Sequence, residues 1–218
     1  MTSSIILIAA GGLAREAVSV CRNPAWTGGT LLGYLDDDPA KAGTTIAGLP
    51  VLGGLQKVHE YPEAHLVVCA GQGAGRRSIV GRLAEVGVGD DRYGTIVDPS
   101  VHVPAGCTVG GGSILLGGTV LTADVRVGSH VVCMPNVVLT HDDVLSDFAT
   151  LAAGAVLGGT VHVGEAAYIG MNASVREQCR VGAEAVLGMG SVLLSDQPGG
   201  TIWAGVPARD LTRQKEPE

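Results

Sequence analysis

From Asp98 to Leu193 the chain reads, in sixes, DPSVHV, PAGCTV, GGGSIL, LGGTVL, TADVRV, GSHVVC, MPNVVL, THDDVL, SDFATL, AAGAVL, GGTVHV, GEAAYI, GMNASV, REQCRV, GAEAVL, GMGSVL. These 16 blocks cover 96 residues with no slip of phase. The sixth position is Val, Ile or Leu in 15 blocks and Cys133 in the other. The fourth is usually small or β-branched, and the first is often Gly. A short, strict repeat of this kind specifies a parallel β-helix. Each block supplies one short strand and one turn, with its aliphatic residue inward and its small residues rounding the corner. No block buries its aliphatic side chain alone, so coil must stack on coil. Three flat faces of six residues make one coil, so 16 blocks give a little over five coils. At ~4.8 Å between stacked strands the prism is about 25 Å tall. A two-sheet sandwich fits poorly, because its turns recur every roughly 8–12 residues with variable loop lengths.

The rest of the composition suits this reading. The 218 residues hold one large or two small domains. Aromatics are only 3% and Gly numbers 34, which favours tight repetitive coils over a conventional core. The formal charge is −7 with no polybasic run, which argues against nucleic acid and anionic membrane as partners. The five cysteines are odd in number and form no CxxC. Cys107, Cys133 and Cys179 sit at small or inward positions of the repeat and Cys69 in an apolar run. They read as packing residues in a reducing compartment rather than catalytic thiols. The first apolar run, IILIAA, is too short and lacks the basic lead of a signal peptide. No segment approaches the ~20 apolar residues of a membrane helix. The expectation is a cytoplasmic protein.

Residues 1–97 have another rhythm. Ile5 to Ala10 reads as a strand, Gly11-Gly12 as a turn, and about Leu13 to Cys21 as a helix. Leu31 to Leu35 is a second strand, ending in Asp36, Asp37 and Asp38 before Pro39. His65 to Ala70 is a third, ending at Gly71 and followed by a helix from about Arg76 to Val86. Strands alternating with helices imply a small, Rossmann-like parallel sheet with covered faces. Ligands of such sheets sit beyond the carboxyl ends of the strands. The A-G-G turn at a helix start lets backbone N–H groups approach a phosphate or sugar, but reads equally as a plain tight turn. It is not G-x-G-x-x-G, which argues against a NAD site. Asp36 and Asp37 are acceptors for ribose or uracil on one reading and a solvated turn on the other. Tyr93 to Val97 leads straight into Asp98-Pro99-Ser100 with no linker, so the two parts, 1–97 and 98–218, should pack together.

The repeat, with GVPAR at Gly205 to Arg209, resembles the hexapeptide-repeat acyltransferases, whose G-x-P-A-[KR] ending it shares. The whole chain is similar to their sugar O- and N-acetyltransferases, related to bacterial sialic acid O-acetyltransferases and UDP-amino-sugar N-acetyltransferases. The resemblance implies a left-handed β-helix, against the usual crossover hand. It implies that Gly11, Gly12, Leu13, Asp36, Asp37 and Gly71 face a nucleotide-sugar acceptor. Arg15-Glu16 keeps the second half of that motif, but Leu13 stands where members acting on UDP-amino sugars commonly carry His. Leucine neither hydrogen-bonds substrate nor moves a proton, which weakens the expectation of a UDP-sugar.

Within the repeat His141 is the residue to weigh. Acetyl transfer from a thioester needs a base for the nucleophile's proton and donors for the developing oxyanion. Imidazole, with an ordinary pKa of about 6.5, suits the first task near neutral pH. Asp142 beside it can fix the tautomer. By itself a His on a polar turn reads more readily as a solvated surface residue. The resemblance makes it the catalytic base, because NVVLTHD (Asn136 to Asp142) matches the family's [NT]-x-x-x-x-x-H-[DE] with one residue's difference in spacing. His130 and His162 read as turn or surface residues. The six histidines contain no pair five residues apart, so a zinc hydratase prism is disfavoured and no metal is expected.

By the same resemblance the acyl donor is acetyl-CoA, lying between neighbouring prisms of a homotrimer. Thr150, Gly159, Met171 and Met189 are the candidate contacts, with Trp203 and Arg209 beyond the last coil. Each glycine is also what a tight corner wants, and Trp203 reads equally as a lid over the last coil. Exposed flat faces independently favour a threefold oligomer. The expected activity is acetyl transfer to an amino sugar, with O-acetylation of a small hydroxyl compound as the alternative. From another class, a non-catalytic ligand-binding or scaffolding solenoid shares the repeat, but not the need for His141-Asp142.

Overall fold

The computed structural model describes residues 3–212; the last residues of the second segment, 213–218, lie outside them. Apolar residues near the amino terminus form β1 (Ser4–Ile8), followed by α1 (Gly12–Cys21) and β2 (Thr30–Leu35). A hairpin of β3 (Thr45–Ile46) and β4 (Leu49–Gly53) precedes β5 (His65–Val68) and α2 (Gly73–Glu85). The sheet order is β3-β4-β2-β1-β5, parallel throughout except for the β3–β4 pair. The hairpin was not expected from sequence. Its turn is Ala47-Gly48, both at positive φ, and Pro50 sits within β4. Alanine in a turn that demands positive φ and proline inside a strand both hide the signal.

The repeat folds as its period dictates. Fifteen two-residue strands run from β7 (Thr108–Val109) to β21 (Val192–Leu193), each at the fifth and sixth positions of a block. Every strand pairs in parallel with those 18 residues away, giving three faces of a left-handed parallel β-helix. Sixth-position residues such as Leu139, Leu151 and Leu187 are fully buried. The fourth position is inward too, which explains its small side chains: Val131, Ala149, Ala155 and Ala185 lie in the same core. From Gly106 to Gly190 every third position has positive φ, including Phe148 and Thr160. Bulky and β-branched residues rarely take that conformation, and here the stacked coils impose it.

One face is covered by the first domain. Strand β6 (Ile96–Val97) opens this sheet by pairing with Ile114–Leu115, so the chain enters the prism as one of its strands. The outward residues Ile114 and Val132 are buried in one cluster with Leu7, Leu13, Ala14 and Ala17. At the other end β22 (Ile202–Ala204) continues the sheet beside Val186–Leu187 and turns back through β23 (Arg209–Asp210). Trp203 thereby packs on the last coil of the prism core. The second face presents Val120, Val138, Val156, Ser174 and Val192 outward, with Val120 and Val156 exposed. The third presents Thr108, Arg126, Val144, His162 and Arg180 and is polar.

Arg76 fastens the two domains. It is fully buried, yet no carboxylate accompanies it among its hydrogen-bond partners. Its guanidinium donates to the carbonyls of Ala70 and Gly71 in its own domain and of His130, Phe148 and Ala149 in the prism, and to the Thr150 hydroxyl. Burial lowers its pKa to about 10, so the cation survives at neutral pH. His130, expected as a turn or surface residue, is a turn residue at positive φ but is only 4% exposed. The first domain covers its corner, where it stacks on Phe148 at 5.0 Å and meets the Tyr93 ring edge-on at 4.5 Å. Desolvation lowers its pKa to about 4, with the Arg76 cation adding to the effect.

Candidate active site

His141 lies in the corner between the valine face and the polar face. Its block places it second, at the apex of the turn, so the imidazole projects outward and is 65% exposed. Asp142 follows at the third position with φ 63°, a conformation aspartate tolerates better than most residues. That backbone turn brings Asp142 Oδ2 to 2.9 Å from His141 Nδ1. With Nδ1 holding the proton toward the carboxylate, Nε2 is left as the basic atom. One coil on, Gly159 is buried beneath the ring, where a Cβ would collide with Cε1 and Nε2. Gly159 is thus the seat of the imidazole.

Asp143 was not singled out by sequence reasoning. It occupies an inward fourth position and is fully buried. Oδ2 accepts the Thr140 N–H at 2.8 Å and Oδ1 the Val161 N–H at 2.8 Å. Burial pushes the carboxyl up to about 6, although both N–H donors and His141 oppose the rise. The signal was an acid at a position of the repeat otherwise held by small or β-branched residues, next to the more conspicuous His141-Asp142 pair.

A second group gathers at the seam of the two domains. A cavity of about 340 Å³ is lined by Leu13, Gly71, Val132, Met134, Thr150 and Met171, among others. Thr150, Gln72 and Tyr168 bring polar groups to this lining, and most of the rest is apolar. Gly11 and Gly12 are exposed beside the start of α1, with open space where a Cβ would stand. The first turn of α1 carries neither an acidic residue nor a side-chain cap, so its N–H groups remain available to a ligand. Asp36 and Asp37 have partners within the domain. Asp36 accepts the Ala10 N–H at 2.7 Å and pairs with Lys41 at 2.8 Å. Burial raises its pKa, but the Lys41 and backbone hydrogen bonds outweigh it and hold the carboxyl below the usual range. Asp37 is held low by the Leu55 N–H and by Arg82.

Thr150 is buried, its hydroxyl accepting from Arg76 and lying 3.4 Å from the Gly71 carbonyl. Met171 and Met189 are exposed one coil apart at the corner between the covered and valine faces. Trp203 and Arg209 lie on the terminal hairpin; Arg209 is exposed and donates to the Ala208 carbonyl at 3.0 Å. The structure therefore brings His141, Asp142 and Gly159 together at one edge of the valine face. It brings Met171 and Met189 together at the other edge, with Leu13, Gly71 and Thr150 nearby. His141 does not line the seam cavity of its own chain. All five cysteines are free. Burial pushes Cys21 and Cys133 up to about 12, and raises Cys69 and Cys179 as well, so these thiols stay protonated.

In repeat, fold and likeness along the chain, the protein resembles the hexapeptide-repeat acyltransferases. Among solved structures it is similar to a histidine-to-asparagine variant of perosamine N-acetyltransferase from Caulobacter crescentus, in complex with CoA and GDP-perosamine. The identity is 26%, covering 95% of this chain and 96% of that one, with a TM-score of 0.87. It is also similar to the acetyltransferase domain of PglB from Neisseria gonorrhoeae FA1090 in complex with acetyl coenzyme A. There the identity is 25%, covering 97% and 100%, with a TM-score of 0.85. Among curated proteins it matches the acyl-[acyl-carrier-protein]–UDP-N-acetylglucosamine O-acyltransferase of Pseudomonas paraeruginosa. That match is 30% identical over 86 residues, 39% of this chain and 33% of the relative. The chain thus spans about a third of the length of the curated relatives it matches. No protein-family model matches it.

Proposed function

We propose that this chain is an acetyl-CoA-dependent acetyltransferase acting on the amino group of a nucleotide-linked amino sugar, with His141 as general base. The observation that carries the reading is the His141 Nδ1···Asp142 Oδ2 contact of 2.9 Å, with the ring seated on Gly159. In the transfer the amine nitrogen bonds to the thioester carbonyl carbon and the carbon–sulfur bond breaks. His141 Nε2 takes the proton that nitrogen loses and returns it to the departing sulfur. Asp142 holds the tautomer and stabilises the imidazolium that forms. No enzyme nucleophile is needed, because the thioester is already activated, and the protonated thiols fit that. The perosamine N-acetyltransferase structures with CoA and GDP-perosamine, two of them histidine variants, support both the substrate class and a working histidine.

The same reading makes the active enzyme a homotrimer. His141 and the Met171–Met189 corner lie on opposite edges of one face, and that face carries the valine stripe. Packing valine faces between copies buries the stripe and brings one prism's His141 edge toward its neighbour's methionine edge. Acetyl-CoA then lies in the groove so formed, against Gly159, Met171 and Met189, with Trp203 and Arg209 at its far end. The acceptor reaches in from the seam cavity, with its anionic part at Gly11, Gly12 and Gly71. Leu13, Val132 and Met134 favour a sugar that presents an apolar edge. The reaction belongs to the cytoplasm, where acetyl-CoA is available.

The test is acceptor-dependent release of CoA thiol, with nucleotide-linked amino sugars set against matched nucleotide sugars bearing only hydroxyls. Release confined to the amino sugars, with an amide product, is the expected result. Release with hydroxyl acceptors and an ester product would make it an O-acetyltransferase, and none with any acceptor would favour a binding solenoid.

A further inference from the structure

The coil under His141 breaks a rule that the rest of the prism keeps. At every other first position from Gly110 to Arg176, the backbone N–H bonds to the carbonyl 17 residues ahead. Gly110 to Val127, Met134 to Leu151, Ala152 to Ile169 and Gly158 to Val175 are examples. Thr140 alone departs: its N–H turns to Asp143 Oδ2 at 2.8 Å. The abandoned carbonyl of Leu157 is taken instead by the Thr140 hydroxyl at 3.1 Å. The ladder registers the change, because this strand pair is joined only through Val138 and Val156. The other oxygen of Asp143 holds the Val161 N–H of the next coil. Ser113 takes the equivalent bond to Val131 in an earlier coil, at 3.0 Å, so one acceptor at this position is compatible with a regular ladder. The second bond, to Thr140, is what is peculiar to Asp143.

We propose that Asp143 is a positioning residue for His141, clamping the Thr140–Asp143 turn to the coil that carries Gly159 and so fixing the imidazole. This rests on the reading of His141 as the base. One carboxylate ties both ends of the arrangement: Thr140 precedes His141 in the chain, and Val161 lies two residues beyond the glycine under the ring. Without it the Thr140 N–H would return to the regular ladder, shifting the backbone next to His141 and loosening the Asp142 contact. The ionisable groups facing Asp143 are His141 and Asp142. The carboxyl is buried in the prism, so its role is support rather than chemistry. Misplacing a reacting group by about 1 Å costs on the order of 100-fold in activity.

The experiment compares Asp143→Ala, Asp143→Ser and Asp143→Asn with wild type in the full-length protein. Expected for Asp143→Ala is a kcat lower by up to about 100-fold with an unchanged KM for acetyl-CoA. Asp143→Ser, which keeps the Val161 bond but not the Thr140 bond, should stay impaired, whereas Asp143→Asn should recover part of the loss. Histidine NMR supplies a readout that needs no acceptor: in Asp143→Ala, His141 should lose its single tautomer. Amide exchange at Thr140 reports whether the clamp has opened. If wild type transfers acetyl to nothing, the functional reading falls while the NMR comparison still decides the positioning. A folded Asp143→Ala protein with an unchanged His141 tautomer would overturn the proposal, as would one with wild-type kcat.

Discussion

Replacing Asp143 by Asn should change how the stability of the protein depends on pH. A carboxyl with an ordinary value of 3.8 is raised to about 6 by burial in the prism. The native state therefore binds this proton more tightly than the unfolded chain does between pH 3.8 and about 6. Stability from this group is complete below pH 4 and declines as pH rises through about 6. Some two pK units at ~1.36 kcal/mol each make the loss about 3 kcal/mol by pH 7. Asp36 and Asp37 act in the opposite direction, since their carboxyls are held low and their contribution is lost on acidification. They are common to both proteins and cancel in the difference. The assay is urea unfolding of wild type and Asp143→Asn at fixed protein concentration from pH 4 to pH 7.5. The difference in unfolding free energy should move by about 3 kcal/mol in favour of Asn as pH rises. A difference that stays constant would refute the reasoning and mean that the two N–H donors cancel the effect of burial; one that moved against Asn would mean that they outweigh it.

Gly159→Ala should reduce acetyl transfer by about 100-fold with little change in melting temperature. The new methyl displaces only the imidazole, and Gly159 does not need positive φ; steady-state kinetics beside thermal unfolding checks this. Arg76→Met should cost about 3 kcal/mol or more, because it strands buried carbonyls in both domains. Arg76→Lys should not restore it, since an ammonium has three donors and no fork; denaturant unfolding measures both. Val156→Glu should abolish the proposed trimer and with it activity. Light scattering should then find 22.0 kDa in place of about three times that mass.

The prism was legible because its period is a backbone property: every coil repeats the same inward aliphatic residue, and a sandwich with its variable loops does not keep so strict a period. The first domain was legible where apolar runs met glycine turns. It was not at the Ala47-Gly48 hairpin, where an unsuitable residue is carried by pairing with β2. Arg76 reads in sequence as one of three arginines in a glycine-rich helix, since nothing local reveals six acceptors contributed largely by a distant coil. His130 was misjudged for the same reason: its turn is set by the repeat, but its burial is set by the other domain. At the site, adjacency made His141 and Asp142 visible. Asp143 stayed hidden because its partners, Thr140 and Val161, meet only after one full coil.

The most direct test is the single-turnover rate of acetyl transfer to a nucleotide-linked amino sugar in wild type and His141→Ala, with acetyl-CoA binding measured in parallel. The account predicts unaltered binding and a rate lower by about 100-fold or more, the loss expected of a general base. An unchanged rate in the variant would place the base elsewhere and contradict the account at its centre.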